Sequence, residues 1–412
     1  MKSLSRTLVF VGFVVAVTGC KRGDAGGETK PDDKGAAAAT SPAAVIKIGQ
    51  TMPYSGPASA YGTIGKVEVA YFKKLDKEGG INGKQIDLVS VDDGYSPPKA
   101  VEQVRKLVEQ EQVLFFFQTL GTPSNAAIQP YLNDNKVPQL FVATGATRWG
   151  DPEHFPWTMG FNPSYELEGL TYANHIANHH PTAKIAVLYQ NDDFGKDFLK
   201  GLKARVHEKE SIAIVGEASY EVTDATIDSQ IATLKGSGAD TFVNVTTPKF
   251  AAQAIRKVYD IGWKPTQYLA NVSASVGSVL TPAGLDKSVG LMTVGYFKDP
   301  TDKQWDDDAA MKEYKAFMKE SVPDANPADG NNAYAYLAAQ TMVQVLKQCG
   351  ADLSRTNVMK QAASLSGFAP GLLLPGIKID TGPKDFFPFD QLSLVRFDGT
   401  TWVATPDSVV AK

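Results

Sequence analysis

The chain has 412 residues, with 41 Lys and Arg against 45 Asp and Glu, which gives a formal net charge of −4. A weakly acidic chain without a basic pattern argues against nucleic acid as a partner. The length exceeds what one hydrophobic core comfortably supports, so the sequence predicts two domains.

The N-terminus has the pattern of a targeting segment. Lys2 and Arg6 precede an apolar run over residues 8–17, and Val-Thr-Gly then leads to Cys20. This pattern is typical of a secretory signal, and the small residues before the cysteine resemble a bacterial lipobox. We therefore predict a signal peptide over residues 1–20 and a lipid on Cys20, the only contact with the membrane. Residues 21–44 have almost no large apolar residue and are predicted to be a flexible tether.

Apolar strands alternate with helical patterns from residue 45 onward. The sequence predicts four strands, at 46–51, 85–91, 114–117 and 139–143, with helices at 64–77, 98–110 and from Thr122. Such alternation is typical of a doubly wound parallel sheet in an α/β fold.

The same alternation starts again after residue 162. Strands are predicted at 184–189, 213–218, 241–245 and 267–270, with helices at 163–179, 195–206, 227–234 and 251–259. The final third breaks the pattern, with a crossing strand at 291–296, helices at 306–319 and 331–347, and a hairpin of 377–380 with 392–397. We expect one lobe from 45–162 plus about 292–365, a second from 163–291 plus about 366–412, and a ligand cleft between the two lobes.

Two predicted strands end in small hydroxyl-rich loops. Residues 114–125 read LFFFQTLGTPSN, where Thr122 is predicted to cap a helix and the N–H groups of Ser124 and Asn125 to form an anion socket. Residues 139–147, QLFVATGAT, end in the same way. Because the carboxyl ends of parallel strands meet at one edge of a sheet, this edge is predicted to hold a ligand carboxylate.

Four segments, in order, carry a resemblance to a known family. They are IKIGQTMPYSGPASAYG (46–62), GGINGKQIDLVSVDD (79–93), ATGAT (143–147) and QNDDFGKDF (190–198). The chain from Val45 to its C-terminus resembles the type I periplasmic binding proteins, and within them the leucine/isoleucine/valine-binding branch that feeds ABC importers. The resemblance implies a periplasmic monomer that closes its two lobes on a small ligand and delivers it to an ABC permease.

The resemblance also implies a set of binding residues. The family holds a ligand carboxylate with a hydroxyl at the position of Thr122 and with backbone and hydroxyl groups at the positions of Gly145 and Thr147. An aromatic residue of the first loop, here Tyr61, shields the ligand, and Phe194 closes on it from the second lobe.

One position departs from the family. Amino-acid binders carry an acidic residue in the second lobe that pairs with the ligand ammonium, and here that residue matches Asn271. A buried ammonium without a carboxylate partner costs several kcal/mol. Either another acid, such as Asp192 or Asp193, reaches the ligand, or the ligand is a des-amino aromatic or aliphatic acid.

The alternatives to a transport protein have less support in the sequence. A ligand-sensing regulator on the same fold would not need an export signal, and no nucleophile motif, phosphate loop or dinucleotide fingerprint indicates an enzyme. His175 and His179 lie at helical spacing but without a third ligand, so no metal site is predicted, nor any cofactor. Cys349 is predicted to be a buried apolar residue.

Overall fold

The computed structural model describes residues 45–206, 208 and 211–405. The predicted signal peptide, the lipidation site Cys20 and the tether lie outside these residues. Within the described part of the chain, no helix has both the length and the apolar character needed to cross a membrane.

The first sheet has five parallel strands in the order β2-β1-β3-β4-β5. They are β1 (Val45–Met52), β2 (Gln85–Asp92), β3 (Phe115–Phe117), β4 (Gln139–Val142) and β5 (Thr158–Gly160). The helices between the strands are α1 (Gly62–Lys77), α2 (Pro97–Glu109) and α3 (Thr122–Asp134). We call this sheet and the helices packed on it the first lobe.

Strand β3 shows why this sheet is covered on both faces. Phe115 and Phe117 belong to the largest hydrophobic cluster, and the Phe117 ring lies 5.9 Å from that of Phe72 in α1. Phe116 points to the opposite face, into a cluster with Val104 of α2 and Ile128 of α3. An unbroken apolar run therefore serves a strand whose successive side chains are buried on alternate faces.

The second sheet has seven strands in the order β12-β11-β10-β9-β8-β6-β7, with antiparallel pairing between β10 and β11 and between β11 and β12. They are β6 (Lys184–Gln190), β7 (Ala213–Tyr220), β8 (Thr241–Val245), β9 (Thr266–Leu269), β10 (Met292–Gly295), β11 (Ser393–Phe397) and β12 (Trp402–Ala404). Its helices are α4 (Tyr165–His179), α5 (Asp193–Val206), α6 (Asp228–Gly236), α7 (Pro248–Asp260) and the short α8 (Thr281–Ala283). We call this sheet and its helices the second lobe.

Three late helices return to the first lobe. They are α9 (Ala309–Ser321), α10 (Gly330–Cys349) and α11 (Arg355–Ala362). Helix α10 packs against α1, where the Tyr71 and Tyr336 rings lie 5.1 Å apart. The chain thus crosses between the lobes after β5, after β10 and again before β11, and the two-lobed α/β architecture predicted from the sequence is confirmed.

Two details of the predicted connectivity are wrong. The return to the first lobe was expected near residue 292, but Met292 pairs in parallel with Tyr268 of β9, so β10 belongs to the second sheet and the chain crosses after Gly295. The terminal hairpin joins β11 to β12 rather than to residues 377–380, because the Asp398 carboxylate accepts hydrogen bonds from the N–H groups of Thr400 and Thr401 and closes a tight turn there.

Candidate ligand site between the lobes

A cavity of about 280 Å³ lies between the lobes, at the carboxyl ends of strands from both sheets. The first lobe contributes the segments after β3 and β4, and the second lobe contributes those after β8, β9 and β10. Nine of the described lining residues are aromatic: Tyr61, Tyr95, Tyr165, Phe194, Tyr296, Phe297, Trp305, Tyr334 and Trp402. None of the described residues that line it is Lys or Arg, so an anionic ligand group has to be held there by hydroxyl and N–H groups.

The N-terminus of α3 reaches this cavity. Gly121 precedes the helix with φ of 98°, and a Cβ at this position would lie 2.5 Å from the ring of Tyr95, so only glycine fits. Thr122 follows as the first helical residue, where the sequence had predicted the cap itself. Its hydroxyl oxygen lies 2.6 Å from that of Thr144, which pairs the two hydroxyl groups at the cavity wall.

The predicted anion socket is smaller than expected. The N–H of Asn125 donates to the Gly121 carbonyl at 2.9 Å and so belongs to the helix ladder. The backbone N–H groups that precede Asn125 in the first turn have no carbonyl partner within the helix, as is general for helix N-termini. The positive end of α3 and two threonine hydroxyl groups therefore form the polar corner of the cavity.

The six residues predicted to bind the ligand divide into two groups. Tyr61, Thr122, Phe194 and Asn271 line the cavity. Tyr61 is 6 % exposed and donates a hydrogen bond across the cleft to the Val272 carbonyl at 3.0 Å, and Phe194 packs against Tyr165 with the ring centroids 4.6 Å apart. The structure thus brings four of the six side chains to one cavity, while their contact with a ligand stays a prediction.

Gly145 and Thr147 are not among the described residues that line the cavity. The Gly145 carbonyl accepts the N–H of Tyr165 at 2.8 Å, which takes that backbone group away from the cleft. After β4 the chain turns so that Ala143 and Thr144 face the cavity instead. Thr144 is therefore the residue of this loop whose hydroxyl lines the cavity, while a contact of Gly145 or Thr147 with a ligand stays a prediction.

Thr147 instead joins the two lobes. Its N–H and its hydroxyl both donate to Oδ2 of Asp197 in α5, at 2.7 and 2.9 Å. The neighbouring Arg148 forms an ion pair with Asp193 of the same helix, with Nη1 and Oδ2 3.1 Å apart. Partial burial raises the pKa of Asp197, and the hydrogen bonds from Thr147 oppose that rise.

Removing this bridge should shift the lobes apart. We expect Asp197→Ala to favour an open arrangement by about tenfold, because two hydrogen bonds to a charged acceptor hold the lobes together there. Small-angle scattering of the ligand-free protein measures this as an increased radius of gyration. Asp228→Ala is the matched control, since its partner Lys257 lies in the same lobe. A variant Asp197→Ala with unchanged dimensions would contradict the role of the bridge.

Asn271 is held in a defined orientation by its neighbours. Its side-chain NH₂ donates to the Val294 carbonyl, and its backbone N–H donates to Oε1 of Glu168 at 2.7 Å. Because the NH₂ group is used as the donor, the orientation of the amide is fixed, and the side-chain carbonyl oxygen remains available as an acceptor on the cavity side. Asn271, which the resemblance matches to the family's acid, therefore offers a neutral acceptor.

Glu168 is the acid that sequence reasoning missed. It lies in the first turn of α4, is 2 % exposed, and also accepts a hydrogen bond from the Tyr172 hydroxyl at 2.7 Å. Burial raises its pKa to about 7. Glu168 lies behind Asn271 and is not among the described residues that line the cavity. The two acids suggested by the sequence have other partners. Asp192 accepts a hydrogen bond from the Phe194 N–H, and Asp193 forms an ion pair with Arg148.

Comparison with known proteins identifies the family. A sequence profile of the periplasmic binding proteins matches residues 45–401. The chain belongs to this family. It is similar to Leu/Ile/Val-binding protein homolog 1 of Brucella abortus (strain 2308), with 25% identity over 309 residues that cover 74% of this chain and 79% of the relative.

Solved structures share the fold of this chain. A branched chain amino acid ABC transporter protein from Thermus thermophilus with bound valine superposes with a TM-score of 0.81 at 16% identity, covering 90% of this chain and 97% of that one. A fatty acid ABC transporter substrate-binding protein from Thermomonospora curvata gives 0.73 at 19% identity, covering 89% and 93%. The fold is that of the two-lobed periplasmic binding proteins.

Proposed function

We propose that the protein captures a small carboxylic acid between its two lobes and presents the closed form to an ABC permease, tethered to the membrane through Cys20. Groups from both lobes line the cavity, so a ligand that contacts both favours the closed arrangement over the open one. The permease can then distinguish loaded from empty protein by the relative position of the lobes.

The observation that carries the proposal is the N-terminus of α3 in a cavity whose described wall has no Lys or Arg. A carboxylate there would accept hydrogen bonds from first-turn N–H groups and from the Thr122 and Thr144 hydroxyl groups. The helix dipole adds a favourable interaction with the negative charge.

We infer further that this acid lacks an α-ammonium group. Asn271 stands where amino-acid binders have an acid, and the two acids among the described residues that line the cavity have partners of their own. Oδ1 of Asp299 accepts hydrogen bonds from the N–H and the hydroxyl of Thr301, and both carboxylate oxygens of Asp302 accept hydrogen bonds from Gln304. Among the structural neighbours one is named for bound valine and another for a fatty acid, so this fold serves carboxylates with and without an amine. A buried ammonium would meet neutral acceptors at Asn271, which do not replace a carboxylate.

Calorimetry with matched ligands tests the proposal. We expect wild-type protein to bind 2-hydroxyisocaproate or 4-methylpentanoate more tightly than leucine, with one ligand per chain. Thr122→Ala should weaken each acid by about tenfold, since a hydrogen bond to a charged group contributes 1.5–3 kcal/mol, roughly. Thr226→Ala, an exposed threonine of the second lobe, is the control and should change nothing.

Two outcomes would contradict the proposal at different levels. Tighter binding of leucine than of its hydroxy analogue would end the des-amino assignment but leave a carboxylate ligand. Lobe closure with neutral sugars and with no acid would overturn the carboxylate ligand itself.

A further inference from the structure

Tyr296 is a buried cavity residue that sequence reasoning did not select. It directly follows β10 and lines the cavity with only 1 % of its surface exposed. Its ring packs against Phe297 and Phe389, with centroid separations of 5.0 and 4.8 Å. These contacts hold the ring in place and leave the hydroxyl end as the polar part of the side chain that meets the cavity.

The Tyr296 hydroxyl makes no hydrogen bond with any described residue, unlike most phenol groups around it. The Tyr61 hydroxyl donates to the Val272 carbonyl, and the Tyr334 hydroxyl lies 2.6 Å from Oδ1 of Asn162. Buried polar groups in native proteins nearly always have a partner, and an unpaired one in a binding cavity points to the ligand.

A second tyrosine gives the matched comparison. The Tyr314 hydroxyl also lacks a partner among the described residues, but it is fully enclosed in the first lobe and does not line the cavity. The Tyr296 hydroxyl is not enclosed in this way, and its open side is the cavity. The two side chains therefore differ in what surrounds their hydroxyl groups rather than in burial.

Asn271 lies on the same wall. Its side chain is bound to the Val294 carbonyl, two residues before Tyr296, so both residues project from the carboxyl ends of the adjacent strands β9 and β10. The Asn271 carbonyl is an acceptor and the Tyr296 hydroxyl can donate. An alcohol is the simplest ligand group that both accepts and donates a hydrogen bond without carrying charge.

We propose that Tyr296 is a specificity-determining residue which, with Asn271, selects a carboxylic acid bearing a hydroxyl group. This rests on the proposed function and narrows its ligand class to hydroxy acids. A second anionic group is disfavoured at this wall, because the Glu168 carboxyl lies behind Asn271 and no described lining residue is Lys or Arg. An oxo group would satisfy Tyr296 but would face the Asn271 carbonyl with a second acceptor.

Binding of paired acids to wild type, Tyr296→Phe and Tyr314→Phe tests this assignment. The probes are 4-methylpentanoate with its 2-hydroxy and 2-oxo derivatives, and 3-phenylpropanoate with its 4-hydroxyphenyl analogue, which place the hydroxyl near to and far from the carboxylate. We expect wild type to prefer one hydroxylated acid over its parent by tenfold or more. Tyr296→Phe should reduce that preference to about twofold by weakening the hydroxylated acid much more than the parent acid, while Tyr314→Phe should match wild type.

The outcomes separate this inference from the proposed function. Suppose that acids bind to wild type and that Thr122→Ala weakens their binding. If Tyr296→Phe then keeps the preference for the hydroxylated acid, or if wild type has no such preference, the role of Tyr296 is refuted and the proposed function stands. Equal loss of affinity for parent and hydroxylated acids would also refute it, because a merely structural change has that effect. If no acid binds wild type, the proposed function fails first.

Discussion

Asn271→Asp should reverse the ligand preference of the protein. The new carboxylate cannot donate to the Val294 carbonyl and is repelled by it, so it should turn toward the cavity. There it would pair with the ammonium of leucine and repel a ligand that has only a carboxylate. We expect the ratio of leucine affinity to 2-hydroxyisocaproate affinity to rise by about 100-fold, or ~3 kcal/mol, the size of a buried charge pair made or left unpaired.

Calorimetry on the wild type and two variants decides this. Asn191→Asp makes the same chemical change at an exposed position of the second lobe and should leave the ratio as it is. Non-specific damage at Asn271 would weaken both ligands together, whereas the reversal requires changes of opposite sign. Parallel losses for leucine and the hydroxy acid would show that Asn271 does not face the position of the ligand's second carbon.

The fold was predictable because its strands are buried runs with clear ends. Phe115–Phe117 and Lys184–Tyr189 read as strands from composition alone, and each is followed by a helix that begins at a recognisable signal. The three-residue strand β5 was missed because so short a segment has no periodicity to read. The sheet assignment of β10 was wrong because the mostly buried residues Met292–Gly295 could pack in either lobe. Only the pairing of this strand with β9 and β11 shows that it belongs to the second sheet.

The cavity lining was predictable where a residue's position follows from a strand end. Thr122 was found this way, and the resemblance supplied Tyr61, Phe194 and Asn271. Tyr334 had no such signal, because it lies in α10, which returns from the second lobe about two hundred residues after α3. Glu168 reads as an ordinary first-turn acid on a helix, and only the packing of α4 against Leu269 and Asn271 reveals it as a buried acid of the second lobe.

Glu168 should also make the stability of the protein depend on pH. Burial raises its pKa from 4.5 to about 7, so between these values the folded state keeps a proton that the unfolded chain releases. Since the folded state binds more protons there, the free energy of unfolding falls as the pH rises through this range, by on the order of 3 kcal/mol for this group. Other buried acids, such as Asp93 with a pKa raised to about 6, add to the fall in the same direction.

Glu168→Gln should remove that share of the pH dependence. The glutamine carbonyl can still accept hydrogen bonds from the Tyr172 hydroxyl and the Asn271 N–H, but it has no proton to lose. Urea unfolding at pH 5 and pH 8 should therefore show the variant gaining stability over wild type at pH 8 and little at pH 5. Glu166→Gln, two residues earlier in the same helix and paired with Lys200 at the surface, should track wild type at both values. If the free energy of unfolding differs between Glu168→Gln and wild type by the same amount at both pH values, the Glu168 carboxyl has the same pKa in the folded and unfolded chains. Asn271 would then lie in front of an ordinary ionised acid.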